Sequence, residues 1–254
     1  MTGVGLPEIA MLRLGDPLRW LRCGWRDFVR APGIGLFYGS CFTGMGVALA
    51  WAFVNSPQWL LALCGGFLLL GPFLAVGLYD VSRNLERGEA PSLTRSLTAW
   101  NKNLSALALY MGLLLVLEML WSRAALVVFA LSFNSLPQNH STLSLLLDPK
   151  NIPFVTTYLG VGAVFAGLIF ATSVISIPMI MDRATDGISA GITSVRVCLA
   201  NPLVMFVWGA LITVLVVLAM LPWFAGLLIV GPVLGHASWH AYRAAVLSAA
   251  APSD

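Results

Sequence analysis

The chain has 254 residues, of which 59% are hydrophobic and 10% charged, and its formal net charge is +3. Soluble globular proteins carry about 25% charged residues, so this composition excludes an ordinary soluble domain. The apolar residues occur in runs of ~20, the length that crosses a bilayer as a helix. The basic residues flank these runs, where they anchor helices against anionic headgroups, so the positive charge does not indicate nucleic-acid binding.

Residues 1–32 are predicted to form a cytoplasmic segment that contains an amphipathic helix and no secretory signal peptide. Asp16 is the predicted N-cap, Pro17 suits the first helical position, and Pro32 ends the helix. An aromatic and aliphatic stripe, Leu18, Leu21, Trp25 and Phe28, adjoins an arginine stripe, Arg19, Arg22, Arg26 and Arg30. This pattern is typical of a helix that lies in the membrane interface.

Six membrane spans follow within a single membrane domain, residues 33–240, before a cytoplasmic tail, residues 241–254. The predicted spans are 34–53, 59–79, 104–121, 154–181, 203–221 and 224–240. The apolar piece Ala124–Phe133 is too short to cross alone, so it lies on the outer surface or re-enters the membrane.

Two further amphipathic helices are predicted between the spans. One starts at Pro91-Ser92 and has an apolar face of Leu93, Leu97, Trp100 and Leu104. The other follows the fourth span and has an apolar face of Ile188, Ile192, Val195 and Leu199. Both patterns follow the helical period.

The basic residues predict the orientation. Twelve of the fourteen Lys and Arg residues lie in the segments 1–32, 80–103, 182–201 and 241–254. Six spans place all four segments and both termini on one side, which the positive-inside rule makes cytoplasmic.

The spans also suggest a repeat. Each unit is an interfacial helix, an outward span, a turn and an inward span that contains a proline, namely Pro72, Pro178 or Pro232. The expected fold is therefore an all-α polytopic membrane bundle, with six transmembrane helices arranged as three pseudo-repeated hairpins.

His236 and His240 are the first candidate site, because they lie one turn apart on one helix face. That spacing could hold a metal ion or supply a haem ligand. The competing interpretation, which the position of Trp239 beside them at the cytoplasmic end of span six favours, is packing and interfacial anchoring. No cofactor is otherwise expected.

A polar rim is the second candidate site. Charged residues follow each proline of the repeat, and they are Asp80, Arg83, Asp182, Arg183, Asp186 and Arg243. If the repeats pack around a common axis, these side chains converge at the cytoplasmic rim, either as an ion-paired network that closes the bundle or as the lip of a polar path. Asp182 and Asp186 would share a helix face if the helix persists between them.

Glu118 and Arg123 are the third candidate, since ionisable residues in a span are functional hypotheses by default. Glu118 lies ~21 Å along the third span, and Arg123 can snorkel to the outer interface. A local pair at the external boundary is favoured over a relay at the midplane.

The chain carries no recognisable catalytic motif, such as a P-loop, HExxH or GxSxG, so an enzyme is not expected. The four cysteines are Cys23, Cys41, Cys64 and Cys198, and no pair has metal-ligand or redox spacing. They are interpreted as small buried thiols.

Several stretches between about residues 18 and 245 resemble a bacterial family of predicted integral membrane proteins, domain of unknown function 2189. They include Gly24–Phe28, Ser82–Glu89, Ser176–Arg183, Asn201-Pro202 and Gly235–Arg243. The resemblance implies a six-span protein of the bacterial inner membrane without a settled activity. Some members are labelled putative cytochrome c oxidase subunits, and with three histidines this chain could fill only a non-catalytic accessory role.

Three functions remain open. The first is a non-enzymatic accessory or assembly protein that binds a membrane-protein partner or itself, with a respiratory complex as one setting. The second is a transporter or channel for a small solute or ion, and the third is a metal- or haem-handling protein that uses His236 and His240.

Overall fold

The computed structural model describes residues 7–55, 60–133, 148–183 and 185–247. The connection between the first two predicted spans, the connection before the fourth predicted span and the predicted tail lie partly outside them. The chain divides into two compact units. The first comprises Met1–Met111 and Thr172–Asp254, and the second comprises Gly112–Ala171.

The described residues are helical, apart from connections and one isolated antiparallel bridge between Ile9 and Val246. The α-helices are α1 (Asp16–Arg30), α2 (Pro32–Asn55), α3 (Leu60–Glu86), α4 (Leu93–Leu97), α5 (Leu104–Ser132), α6 (Ile152–Ser173), α7 (Ser176–Arg183), α8 (Gly187–Ala200), α9 (Pro202–Met220) and α10 (Leu227–Ala245). Short 3₁₀ helices, Ala99–Asn103 and Pro149–Asn151, precede α5 and α6. The predicted all-helical class is confirmed.

Within the described residues, four stretches are long and apolar enough to cross a membrane. They are Pro32–Asn55, Leu93–Ser132, Pro149–Arg183 and Pro202–Met220. The predicted second and sixth spans correspond to α3 and α10, which have 27 and 19 residues and are not among these four. The membrane character is thus shown, while the count of six and the threefold repeat stay predictions.

Two predicted boundaries are corrected, one at the end of the third span and one at the start of α1. The piece Ala124–Phe133 is not a separate surface or re-entrant segment, because α5 runs unbroken to Ser132. Gly15 rather than Asp16 is the N-cap of α1, and the Asp16 carboxylate instead accepts a hydrogen bond from the Arg13 amide at 2.7 Å.

The predicted fourth span is broken into α6 and α7 just before Pro178. Proline lacks an N–H group and its ring clashes with the carbonyl four residues earlier, so the helix cannot run through it undisturbed. The first unit satisfies the exposed backbone groups, as apolar surroundings require. The Ile175 amide donates to the Ser194 hydroxyl at 3.2 Å, and the Tyr110 and Ser176 hydroxyls both donate to the Thr172 carbonyl.

The core of the first unit is built around α10, which packs against α1, α2 and α3. Glycines permit the close approach of the backbones. A Cβ atom on Gly24 would lie 2.5 Å from the Val233 carbonyl oxygen, and one on Gly39 would lie 2.0 Å from the Leu228 carbonyl oxygen. Side chains other than hydrogen therefore do not fit at these two contacts.

The three amphipathic helices place their predicted apolar stripes mostly outward. In α1 the buried residues are Pro17, Trp20, Gly24, Asp27 and Phe28, whereas Leu18 and Trp25 are 66% and 51% exposed. In α8 the buried face holds Gly187, Ala190, Thr193, Ser194 and Val197, whereas Ile188 is 70% exposed. In α4 the buried residue is Ser96, and Leu97 is exposed. Outward apolar stripes suit helices that rest on lipid.

The second unit holds most of α5 and α6. Aromatic rings make its internal contacts, with Trp121 packed 5.3 Å from Tyr158 and 5.9 Å from Phe165, centroid to centroid. Phe133 and Phe154 form a further pair at 4.8 Å. Among the described residues of this unit only Leu114 is buried, and the others are half-buried or exposed.

Candidate functional site

Polar side chains from three helix ends of the first unit form one connected network. Asp182, near the end of α7, accepts a hydrogen bond from the Tyr242 hydroxyl at 2.8 Å and lies 3.8 Å from Arg243. Arg243 also pairs with Glu86, at the end of α3, at 3.2 Å. Arg183 donates to the Tyr242 hydroxyl at 2.9 Å. Residues far apart in the chain are thus joined by acid–base contacts.

A second group of polar contacts surrounds Asp80, which is buried in α3. Its carboxylate accepts hydrogen bonds from Arg83 at 2.5 Å and from Asn84 at 2.9 Å, and it lies 3.5 Å from Arg95. Nearby, the buried Tyr38 hydroxyl donates to Ser96 at 3.0 Å. These bonds hold α2, α3 and α4 together at one end of α3.

A small cavity of 170 Å³ connects the two groups, since it is lined by Arg83, Glu86, Arg87, Asp182, Trp239 and Arg243. The structure therefore brings together five of the six predicted rim residues. Asp80 joins the group through its contact with Arg83, which lines the cavity, and Arg183 joins it through the Tyr242 hydroxyl. Their charges largely compensate one another, an arrangement typical of an ion-paired closure.

Asp186 is not part of this network. The helix does not persist from Asp182, because α7 ends at Arg183, so the predicted shared face does not exist. Asp186 is instead the N-cap of α8 and accepts hydrogen bonds from the Ile188 and Ser189 amides at 3.1 and 2.9 Å. These bonds, led by that of Ser189, lower the pKa of its carboxyl below the usual value.

The two histidines of α10 have separate partners. His236 is wholly buried and its Nδ1 lies 2.8 Å from the Ser82 hydroxyl oxygen. His240 Nε2 lies 2.7 Å from an oxygen of Asp27, a residue of α1 that is 2% exposed. Between them, Trp239 donates from its indole nitrogen to Glu86 at 3.1 Å. All three residues are thus engaged in packing and hydrogen bonding.

The electrostatics of Asp27 follow from these partners. Burial raises the pKa of its carboxyl, but the hydrogen bond and charge of His240, aided by Ser82 and His236, more than offset this effect. The pKa therefore lies below its usual value of 3.8. Asp27 is held as a carboxylate against His240 in the packed interface of α1 and α10.

No group of three or more His, Cys, Asp or Glu side chains is placed to hold a metal ion in the part of the chain that the structure describes. The neighbouring serine and histidine also lack access to a substrate, because Ser82 and His236 are both fully buried. A nucleophile and its base must reach a reacting group, so this pair has a structural place.

Glu118 and Arg123 form no ion pair in the described part of the second unit. They are five residues apart, which turns their side chains about 140° from each other around α5. Because α5 extends to Ser132, Glu118 lies at its midpoint rather than near its outer end. It is half-buried, and Arg123 is exposed. The favoured local boundary pair is therefore absent.

Several residues with such polar contacts escaped the sequence prediction, among them Asp27, Glu86 and Asn201. Asp27 carried one available signal, since it falls on the same helical face as Trp20 and Gly24. Asn201 pairs with the N-terminal segment, accepting from the Leu12 amide at 2.7 Å and donating to the Ala10 carbonyl at 3.1 Å. Its neighbour Pro202 starts α9, so the Asn-Pro pair joins a helix start to a distant strand-like segment.

Residues 60–182, from the start of α3 to Asp182, match the family model described as a predicted integral membrane protein, DUF2189. Over this stretch the chain is similar to the DUF2189 family. The matched part includes Asp80, Ser82 and Glu86 but neither histidine of α10. The DUF2189 description confirms the predicted membrane class and gives no activity. No curated protein and no solved structure matches the chain.

Proposed function

We propose that this protein is a six-span, non-enzymatic protein of the bacterial inner membrane, with both termini in the cytoplasm. It acts by binding another membrane helix, from a partner protein or from a second copy. The observation that carries the binding role is Glu118, a carboxyl group at the centre of an apolar helix that has no ion-pair partner among the described residues of its unit. A respiratory complex is one candidate setting for an accessory protein of this kind.

The contacts between helix ends support six spans over four. If only the four apolar stretches crossed, Glu86 and Asp182 would emerge on the side opposite Arg243. Yet Arg243 lies 3.2 Å from Glu86 and 3.8 Å from Asp182. Crossings by α3 and α10 bring all three residues to one side, and they also keep the basic segments together as the positive-inside rule requires.

The two ends of the described chain lie beside each other. The Ala10 amide donates to the Ala245 carbonyl at 3.0 Å, and the Leu247 amide donates to the Glu8 carbonyl at 3.1 Å. Neighbouring ends lie on the same side of a membrane, which requires an even number of spans. Both counts satisfy this condition, so the loops must distinguish them.

Reporters inserted in two loops test the topology. Six spans predict a cytoplasmic reporter at Gly88 and an external one near His140, whereas four spans predict the reverse at both positions. Gly88 suits insertion because it lies in an exposed turn at a φ of 73°. A fusion after Asp254 should read cytoplasmic and serves as the common reference. External activity at Gly88 would refute the six-span arrangement.

The surroundings of Glu118 support binding to another helix. Ionisable side chains within membranes are costly and nearly always pair with one another or face a polar interior. In α5 the neighbours Val116 and Met119 are 52% and 56% exposed. Polar groups between apolar helices add association energy, measured at about 1 kcal/mol per hydrogen bond. A facing helix that carries a donor or a cation would complete this site.

Photo-crosslinking at two positions of α5 tests the binding role. A crosslinker at Met119 should capture a protein at a defined mass, and that band should fade in Glu118→Gln. A crosslinker at Leu114, which is buried, provides the matched control and should give no such band. A band at twice the chain mass identifies a second copy, whereas adducts with lipid alone would contradict the proposal.

The contacts of the polar rim favour a role in holding the helix ends together over a role as a path for solutes. Asp80, Asp182 and Glu86 each contact arginine, so the acidic groups are neutralised within the first unit. A transport path needs groups that are free to bind and release a solute. The rim residues are therefore assigned to holding the ends of α3, α7 and α10 together.

A further inference from the structure

A second cavity near the helix ends shares Arg243 with the rim network. It has a volume of 460 Å³ and lies between the N-terminal segment, α1 and the end of α10. Its lining residues are Met11, Leu12, Arg13, Asp16, Arg19, Trp20, Cys23, His240, Arg243 and Ala244. This volume falls in the range of small-molecule sites.

The lining carries an excess of positive charge, with three guanidinium groups and one carboxylate. Arg243 is already shared with Glu86 and Asp182. Arg13 and Arg19 have no carboxylate partner among the residues that the structure describes, so two cations remain available at the cavity wall. Guanidinium groups bind phosphate through paired N–H donors.

The cavity wall is held in place by the backbone. The Leu12 amide donates to Asn201, and the Arg13 amide donates to Asp16, both at 2.7 Å. The opposite wall is fixed by Trp20, which is 2% exposed and packs edge-on against Trp208 at 5.4 Å. A site whose walls are fixed before binding spends less free energy on ordering.

The cavity lies against the face of α1 that points away from its outward apolar stripe. Asp16, Arg19, Trp20 and Cys23 follow the helical repeat on one face, and Leu18, Trp25 and Val29 follow it on another. At 100° per residue the centres of these faces are roughly 150° apart. If the apolar stripe rests on lipid, the cavity faces water.

We infer that this cavity binds a phosphate-bearing anion, with Arg13 and Arg19 as its main ligands. Because the cavity lies against the face of α1 that points away from the apolar stripe, a water-soluble phosphate compound is favoured over a lipid headgroup. Trp20, Leu12 and Ala244 supply an apolar wall for the part of the ligand that follows the phosphate. His240, held by Asp27, lines the inner end.

Equilibrium dialysis with radiolabelled inorganic phosphate tests the site on the full chain in phosphatidylcholine nanodiscs, with chloride matching the ionic strength. Arg13→Gln and Arg19→Gln should each weaken binding about tenfold, since each removes a charged hydrogen-bond donor. Arg22→Gln makes the same charge change on α1 outside the cavity and should alter the dissociation constant less than about twofold.

A second set of nanodiscs identifies the source of the phosphate. Unchanged phosphate binding after phosphatidylglycerol is added supports a water-soluble ligand, and binding lost only in those discs assigns the same arginines to a lipid headgroup. Absence of phosphate binding in phosphatidylcholine discs would overturn the inference. An equal loss in Arg22→Gln would also overturn it, because binding would then reflect net charge alone.

Discussion

The two units of the chain are stabilised by different contacts. In the first unit, glycine contacts bring backbones together and buried polar groups such as Asp27, Ser82 and His236 find partners on other helices. In the second unit, aromatic rings make the internal contacts and only Leu114 is buried among the described residues. Specific internal contacts thus define the first unit, while the second presents its surface to lipid or to another helix.

The difference follows from the solvent around each unit. Apolar side chains gain little by leaving lipid for one another, so membrane helices associate through close packing and polar contacts. The first unit has both kinds of contact and the second has mainly ring packing. Substitutions at the close contacts and polar groups of the first unit should therefore cost more than equivalent changes in the second.

The largest effect is expected for Gly39→Ala. The added Cβ would lie 2.0 Å from the Leu228 carbonyl oxygen, and backbone atoms cannot move aside as a flexible side chain can. The overpacking should cost about 3 kcal/mol and lower the yield of folded protein, measured by fluorescence-detected size-exclusion chromatography. Gly44→Ala in the same helix is the control, since its Cβ would meet no atom within 4 Å. Equal yields would show that α2 and α10 are not tightly packed.

The next effect is expected for Asp27→Asn, which keeps the side-chain size and removes the charge that faces His240. The loss should be about 2 kcal/mol at neutral pH. Folding lowers the pKa of Asp27, so its stabilisation is present above the unfolded value near 3.8 and is lost as the pH falls through the folded value. The difference in thermal unfolding between the two proteins should therefore begin to narrow as the pH falls below about 3.8, and a difference that stays constant as the pH is lowered further would contradict the assigned carboxylate.

The helices of this fold could be predicted because their signals are local. Apolar runs, Pro32 and Pro202 mark helix ends within a few residues, and the structure begins α2 and α9 at these two prolines. Pro178 was placed within a span, yet it broke the helix, because whether a proline kinks or ends a helix depends on neighbours such as Ser194. The end of α5 was missed because the Ser122-Arg123 pair resembles an interface, while Arg123 is accommodated within the helix.

The site could be predicted only in part. The rim residues near each proline were predicted from their spacing, and five of them converge through direct or indirect contacts. The partner of His240 could not be predicted, because Asp27 is 213 residues away in the chain. The packed face of α1 was also misjudged, since an apolar stripe suits lipid and protein equally well. The face that meets another helix is marked by Gly24, whose side chain is a hydrogen atom, and by the polar Asp27.

A smaller effect is expected for Tyr242→Phe. The hydroxyl donates to Asp182 at 2.8 Å and accepts from Arg183 at 2.9 Å, so its removal deletes two hydrogen bonds of the rim. The cost should be about 1.5 kcal/mol in thermal unfolding. Tyr158→Phe in the second unit removes a hydroxyl for which no hydrogen bond is described and should change the midpoint little. Similar shifts for both would mean that the rim does not stabilise the first unit.

The smallest effect is expected for Trp121→Leu, which removes the ring contacts with Tyr158 and Phe165. Aromatic pairs add about 1 kcal/mol beyond their apolar area, and leucine retains much of that area. Trp51→Leu is the control, because Trp51 is 61% exposed. Hydrogen exchange locates the effect: amides of α5 and α6 in Trp121→Leu should exchange faster while those of α1 and α10 keep their rates. Faster exchange in α1 and α10 as well would mean that the two units unfold together. The two units would then differ in their contacts but not in their stability.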